Sequence, residues 1–185
     1  MKTIKSLLWE YAQDHSVEHF SLMESERHYL LKGTVNCLLE GKASNINYVV
    51  RCTKNWKTRH VYIQNYWGNT KNQISISIDT HQEWKVDNKR IPFASGLTDI
   101  DLGITPATNT LPIRRLSLGV NDSQNSTAVW VRFPDLSLQP LSQRYTRLGQ
   151  NEYAYDSLAS GFHAKIQVDL DGIVVSYGNL WQTIP

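Results

Sequence analysis

Apolar and polar residues alternate most plainly over Ile74-Ser75-Ile76-Ser77-Ile78-Asp79, where isoleucines take every second place. A period of two sends neighbouring side chains to opposite faces of a pleated strand, so this stretch predicts a half-buried strand. Trp84-Lys85-Val86 continues the pattern, Asp87-Asn88-Lys89 reads as a turn, and Pro92 and Gly96 bound an irregular link. The same period appears upstream, where Val61 and Ile63 alternate with His60, Tyr62 and Gln64. Near the end of the chain Phe162, Ala164, Ile166, Val168 and Leu170 form an apolar face against His163, Lys165, Gln167 and Asp169. Asp171-Gly172 then predicts a tight hairpin with positive φ at both positions.

Further strands are expected over residues 7–12, 17–23, 29–39, 46–53, 128–133, 143–148, 152–157 and 174–177, with Leu180-Trp181 closing the chain. Gln13-Asp14-His15-Ser16 separates the first two, a loop over residues 40–45 joins the next two, and a Lys-Asn-Trp-Lys-Thr-Arg corner spans residues 54–59. Residues 4–11 also fit a short helix, although polar side chains interrupt the stripe a helix would bury.

One stretch, residues 98–118, breaks the alternation. It opens as a strand, Asp99-Ile100-Asp101-Leu102, and is interrupted at Gly103 and Thr105-Pro106. A helix is expected from about 107 to 116, with Thr105 as its N-cap and Pro106 in the first turn. Pro112 disturbs that span and makes Thr110 the alternative start. Many short strands and one helix predict a mainly β fold, a many-stranded antiparallel sheet rolled or closed, forming one domain over residues 1–185.

Strand periodicity places Asp99 and Asp101 on one face, about 6.5–7 Å apart at their α-carbons. Two carboxylates so close need cationic or donor partners when buried. Arg114 and Arg115 diverge by about 100° on a helix, so one can fold back onto a carboxylate while the other points elsewhere. Three readings stay open: an internal polar lock, a ligand contact, or a hydrolase that uses the Asp99/Asp101 pair.

Composition narrows the choices. Hydrophobic residues make up 41% of the 185, enough for a substantial core, and six Trp with nine Tyr suit a semi-polar cavity or interface. A net charge of +2 argues against nucleic acid or an anionic membrane as partner, although Lys54, Trp56, Lys57 and Arg59, and again Arg144, Tyr145 and Arg147, make small basic-aromatic corners that fit a protein-interaction module. Cys37 and Cys52 read as reduced thiols without a zinc pattern. The histidines, including His15 and His19, are scattered, and there is no Gly-x-Ser-x-Gly elbow or glycine-rich phosphate loop. We therefore expect no metal, no cofactor and no catalysis. With no long apolar run near Met1 or elsewhere, the expected location is cytoplasmic.

The run Asp99-Ile100-Asp101-Leu102-Gly103 followed by Thr105-Pro106-Ala107-Thr108-Asn109-Thr110-Leu111-Pro112-Ile113-Arg114-Arg115-Leu116 resembles the signature of a bacterial family labelled as glycolipid-binding. Trp56-Lys57-Thr58-Arg59, Gln143 to Leu148, Asp171-Gly172-Ile173-Val174 and the segment from Tyr177 to Leu180 extend the resemblance along nearly the whole chain. It implies a spiral β-roll wrapped around the signature helix, with the Asp and Arg side chains largely buried, a homodimer, and a glycolipid or other amphiphile as ligand. Head groups of that kind are held by planar hydrogen-bonding and aromatic side chains. The candidate ligand residues are Asn109, Arg114, Arg115, Asp99, Asp101, Trp56, Arg59 and Tyr145, with Trp67, Trp84 and Tyr153 of the same type and Trp130 assigned to the core.

Overall fold

The computed structural model describes residues 1–14 and 16–184, and the expected loop position of His15 lies outside them. The chain runs outward from the middle of a sheet, crosses to the far edge and returns. The outward half is β1 (Lys2–Tyr11), β2 (Ser16–Glu24), β3 (His28–Leu39), β4 (Lys42–Thr53), β5 (Thr58–Trp67), β6 (Thr70–Ile78), β7 (Trp84–Val86) and β8 (Lys89–Arg90), each antiparallel to the next. A 3₁₀ turn, Pro92–Ala94, carries the chain across to β9 (Asp99–Leu102). The returning half is β10 (Ser123–Val131), β11 (Leu138–Gly149), β12 (Glu152–Ser157), β13 (His163–Val168), β14 (Val174–Tyr177) and β15 (Trp181–Ile184), and β15 pairs with β1. The result is one 15-stranded sheet with β8 and β9 as its edges.

The expectation of a wholly antiparallel sheet needs one correction, because β9 and β10 are parallel. Parallel neighbours cannot be joined by a hairpin and need a crossover of a dozen or more residues, and here the crossover contains the only α-helix among the described residues. That helix, α1 (Thr110–Leu116), follows directly on a 3₁₀ turn, Ala107–Asn109. Both readings of the helix start are therefore present. Thr105 Oγ1 accepts a hydrogen bond from the Ala107 amide at 3.0 Å, as a cap would, while regular α geometry begins at Thr110. Pro112 falls in the first turn of α1, where its missing N–H has no helical partner to lose. Ser117 ends the helix in the left-handed region at φ 48°.

A seven-residue helix has little stability alone, so α1 owes its existence to packing. Thr110, Leu111, Pro112 and Ile113 are all buried inside the roll. Around them lie the inward residues of the strands, among them Trp9, Phe20, Ile46, Val61, Ile76, Trp84, Val129 and Ile166. The sheet is not closed by a strand ladder, but its flanks meet. The Thr58 amide donates to Thr98 O at 3.1 Å, and the side-chain amides of Asn65 and Asn72 both donate to Pro134 O at 3.2 Å.

Several local expectations are corrected. Residues 4–11 are strand throughout. The loop expected over residues 40–45 is a two-residue turn at Glu40-Gly41, with φ of 51° and 74°. At Asp171-Gly172 only Gly172 has positive φ, 73°, and Val168 pairs with Val174 across a bulge. The Asp169 side chain explains the difference, since its Oδ1 accepts the amides of Asp171 and Ile173 at 3.0 and 2.9 Å and fixes a longer loop. That loop leaves Leu170 82% exposed, off the apolar face its phase implies.

Gly33 has a specific packing role. A Cβ there would lie 2.3 Å from the ring of Tyr48, which crosses β3 at this point. Gly33→Ala is expected to destabilise the protein by about 1–3 kcal/mol, because a buried ring must move to make room. Chemical denaturation would measure the loss.

Candidate functional site

A cavity of about 520 Å³ opens at one end of the roll. Strand ends build it: β9 supplies Asp101, the crossover supplies Thr105 and Asn109, and the end of β10 supplies Trp130. Tyr155 of β12, Phe162, Tyr177 of β14 and Trp181 of β15 complete an aromatic wall. Tyr155, Phe162 and Tyr177 form a cluster, with centroid distances of 6.1, 5.9 and 6.0 Å and tilted rings.

The two carboxylates of β9 share a face yet have different fates. Asp99 is 1% exposed and fully engaged. Arg115 donates to both of its oxygens, through Nε to Oδ1 at 2.9 Å and through Nη2 to Oδ2, and Ser126 Oγ donates to Oδ2 at 2.8 Å. Asp101 meets no guanidinium among the described residues. Its Oδ2 accepts a hydrogen bond from Gln143 Nε2, which also donates to Tyr155 Oη at 3.1 Å. Burial pushes the Asp101 carboxyl up to about 6, opposed only by the Gln143 hydrogen bond. Burial is the main cause that pushes the phenols of Tyr145, Tyr155 and Tyr177 upward, and the Asp101 charge adds to it at all three. One arginine, Arg115, folds back onto a carboxylate and the other points elsewhere, as helix geometry led us to expect. The burial that the resemblance implies is corrected for Arg114, which is exposed, and Asp101 has no arginine partner among the described residues.

Asn109 reaches the cavity from the base of α1 and is held in one orientation. Its Nδ2 donates to Pro106 O at 3.1 Å, and its Oδ1 accepts from Tyr145 Oη at 2.8 Å. Tyr145 itself is 1% exposed and stands behind Asn109 rather than in the cavity.

The other candidates lie elsewhere. Arg114 is exposed, with its guanidinium 5.3 Å from the Trp56 ring, and Trp56 stacks on Tyr29 at 4.4 Å. Arg114 lines a second cleft, of about 360 Å³, with Tyr153, Arg147 and the turn at Gly172. The long strand β11 starts beside the first cavity and ends beside this cleft, so the two lie at opposite ends of the roll. Arg59 donates to Thr58 O at 3.2 Å and borders neither opening. Trp67 donates to Leu39 O, Trp84 is buried in the core, and Trp130, expected in the core, lines the cavity instead. Of the eight candidates, Asp101 and Asn109 line the first cavity, while Asp99 with Arg115, and Arg114 with Trp56, pair away from it.

Sequence reasoning missed Gln143, Tyr155, Phe162, Tyr177 and Trp181 at the site. A signal existed for Gln143, which is in phase with Leu141 and Tyr145 on the inward face of β11. It also missed Glu18, in phase with Phe20 and Leu22 on β2 and wholly buried. Tyr48 Oη donates to Glu18 Oε1 and lies 3.4 Å from Thr105 Oγ1, while Glu18 Oε2 has no hydrogen-bond partner among the described residues. Burial pushes this carboxyl up to about 7. It does not line the cavity, but Tyr48 Oη connects it to Thr105, which does.

Fold and site together define an open β-roll with a ligand-sized, aromatic and half-polar cavity at one end. The chain belongs to the family described as "Putative glycolipid-binding", whose model matches residues 6–183. It is similar to a crystal structure of a DUF1089 family protein from Pseudomonas aeruginosa, with 28% identity and a TM-score of 0.83 over 91% of this chain and 92% of that one. No curated protein matches it. Among the described residues, no helix is long and apolar enough to cross a membrane, and no group of three His, Cys, Asp or Glu side chains is placed to hold a metal ion.

Proposed function

We propose that this protein binds a glycolipid or similar amphiphile without chemically altering it, and that the head group sits in the cavity at Asp101 and Asn109. The observation that carries the reading is the combination in one opening of an aromatic wall with Asp101, a carboxylate that no cation neutralises among the described residues. At about 520 Å³ the cavity falls in the usual size range of small-molecule sites. Aromatic faces suit the C–H surfaces of a sugar ring, and Asp101 and Asn109 supply hydrogen-bonding groups at its edge. A ligand chain lying along the apolar mouth gains about 0.8 kcal/mol per buried methylene, but a bilayer offers the same gain, so selection rests on the polar end. The hydrolase reading loses its second carboxylate, since both oxygens of Asp99 are occupied by Arg115 and Ser126.

Calorimetric titration tests the proposal with octyl glucoside, octanol and glucose. The expected result is measurable binding of the glucoside, much weaker binding of either half alone, and a loss of about tenfold in glucoside affinity for Asn109→Ala. A folded Asn109→Ala protein that binds the glucoside as tightly as the original would remove the head group from this cavity.

A further inference from the structure

The charge of the cavity says more about its ligand than its shape does. Its lining contains two carboxylates, Asp14 and Asp101, and no lysine, arginine or histidine among the described residues. Two guanidiniums that contact residues around the site lie outside its lining. Arg115 is bound to Asp99, and Arg132 lies over the Trp130 ring at 5.3 Å without lining the opening. Asp14 is engaged by the amide and hydroxyl of Ser16 at the rim. Asp101 has one amide donor on one oxygen, and its other oxygen, Oδ1, accepts no hydrogen bond among the described residues. Beside it stand the three rings of Tyr155, Phe162 and Tyr177, mutually tilted by 53–68°.

An unneutralised carboxylate beside several aromatic faces is the arrangement that attracts a cation. The faces of the rings carry negative quadrupole density, and the carboxylate adds a full charge in a site partly removed from water. A neutral sugar hydroxyl uses the carboxylate only as an acceptor, and a phosphate or sulfate is repelled by it. We infer that the head group this cavity takes is positively charged, an amine or quaternary ammonium such as an amino-sugar or choline-like end, held between Asp101 and the Tyr155–Phe162–Tyr177 cluster. The inference rests on the proposal that the cavity takes the polar end of an amphiphile, and it adds the sign of that end's charge.

The test is calorimetric titration of the full chain at pH 8 with three ligands of equal chain length: octyltrimethylammonium, octyl glucoside and octyl sulfate, each below its micelle concentration. The ammonium compound is expected to bind roughly tenfold or more tightly than the glucoside, and the sulfate least. In Asp101→Asn, which keeps an acceptor for Gln143, the affinities for the ammonium and the glucoside are expected to converge. Phe162→Leu removes a ring that is 39% exposed, so the fold survives, and it is expected to narrow the same ratio. Its result stands alone if Asp101→Asn fails to fold. A glucoside that binds as well as or better than the ammonium compound overturns the charge inference and leaves the amphiphile proposal intact. An ammonium preference that survives in both variants overturns it too, by placing the selecting charge elsewhere. If none of the three binds, both readings fall.

Discussion

Arg115→Met is expected to cost about 3–5 kcal/mol of stability, while Arg114→Met, one residue away, costs well under 1 kcal/mol. The difference follows from where each guanidinium ends. Arg115 makes a two-point contact with Asp99, which is 1% exposed, so its removal strands a charge that water cannot reach. Arg114 lies exposed over Trp56, where water replaces most of what it loses. A chain of this length loses roughly 2–4 °C of melting temperature per kcal/mol, so the first variant should melt about 10 °C low and the second nearly in place. Asp99→Leu combined with Arg115→Met should recover much of the loss, because an apolar pair leaves nothing uncompensated. Equal effects of the two single substitutions would mean that the lock does not hold the crossover against the sheet.

Glu18→Gln is expected to raise the melting temperature at pH 8 and to change it little at pH 5. Burial raises the folded carboxyl from the ordinary 4.5 to about 7. Between those values the folded chain keeps a proton that the unfolded chain has released, so native stability falls as pH rises through this window. The full loss above pH 7 is roughly 3 kcal/mol, at about 1.4 kcal/mol per pH unit. Asp101, raised from 3.8 to about 6, adds a loss of the same sign over a lower window. Glutamine never ionises and still accepts from Tyr48, though its amide group must find room where Oε2 had no partner. A net gain of about 2 kcal/mol at pH 8, or roughly 5 °C, is the expected balance. Melting curves at the two pH values measure it. A variant less stable than the original at pH 8 would show that Glu18 is ionised and held favourably.

Much of this architecture was legible because a period of two is a strong signal when one face is buried. The strands around Ile74–Ile78 and Val61–Ile63 alternate as their burial does. The crossover was legible for a different reason: Thr105-Pro106 and the paired arginines break the alternation, and the break marks where the chain leaves the sheet. What the residues could not disclose was pairing at a distance. Nothing local tells β9 to lie parallel to β10, or Asp101 to meet Gln143 from 42 positions away. The site suffered most, since it gathers single side chains from the ends of many strands. Tyr155 and Tyr177 look like any other aromatic on an alternating strand. Glu18 and Gln143 were readable in principle, because a polar residue in phase with phenylalanine, leucine or tyrosine faces inward.

The seam between β1 and β15 has a kinetic consequence. Every other pairing joins strands that follow one another along the chain, all but the parallel β9–β10 pair as antiparallel neighbours, so each half can zip up with small loop-closure entropy. At the seam, Leu8 finds Ile184, and Trp9 Nε1 finds Val174 O across 165 positions. Two meanders that form quickly therefore wait on one slow docking event, and the joint in mid-sheet sets the tempo for the whole molecule.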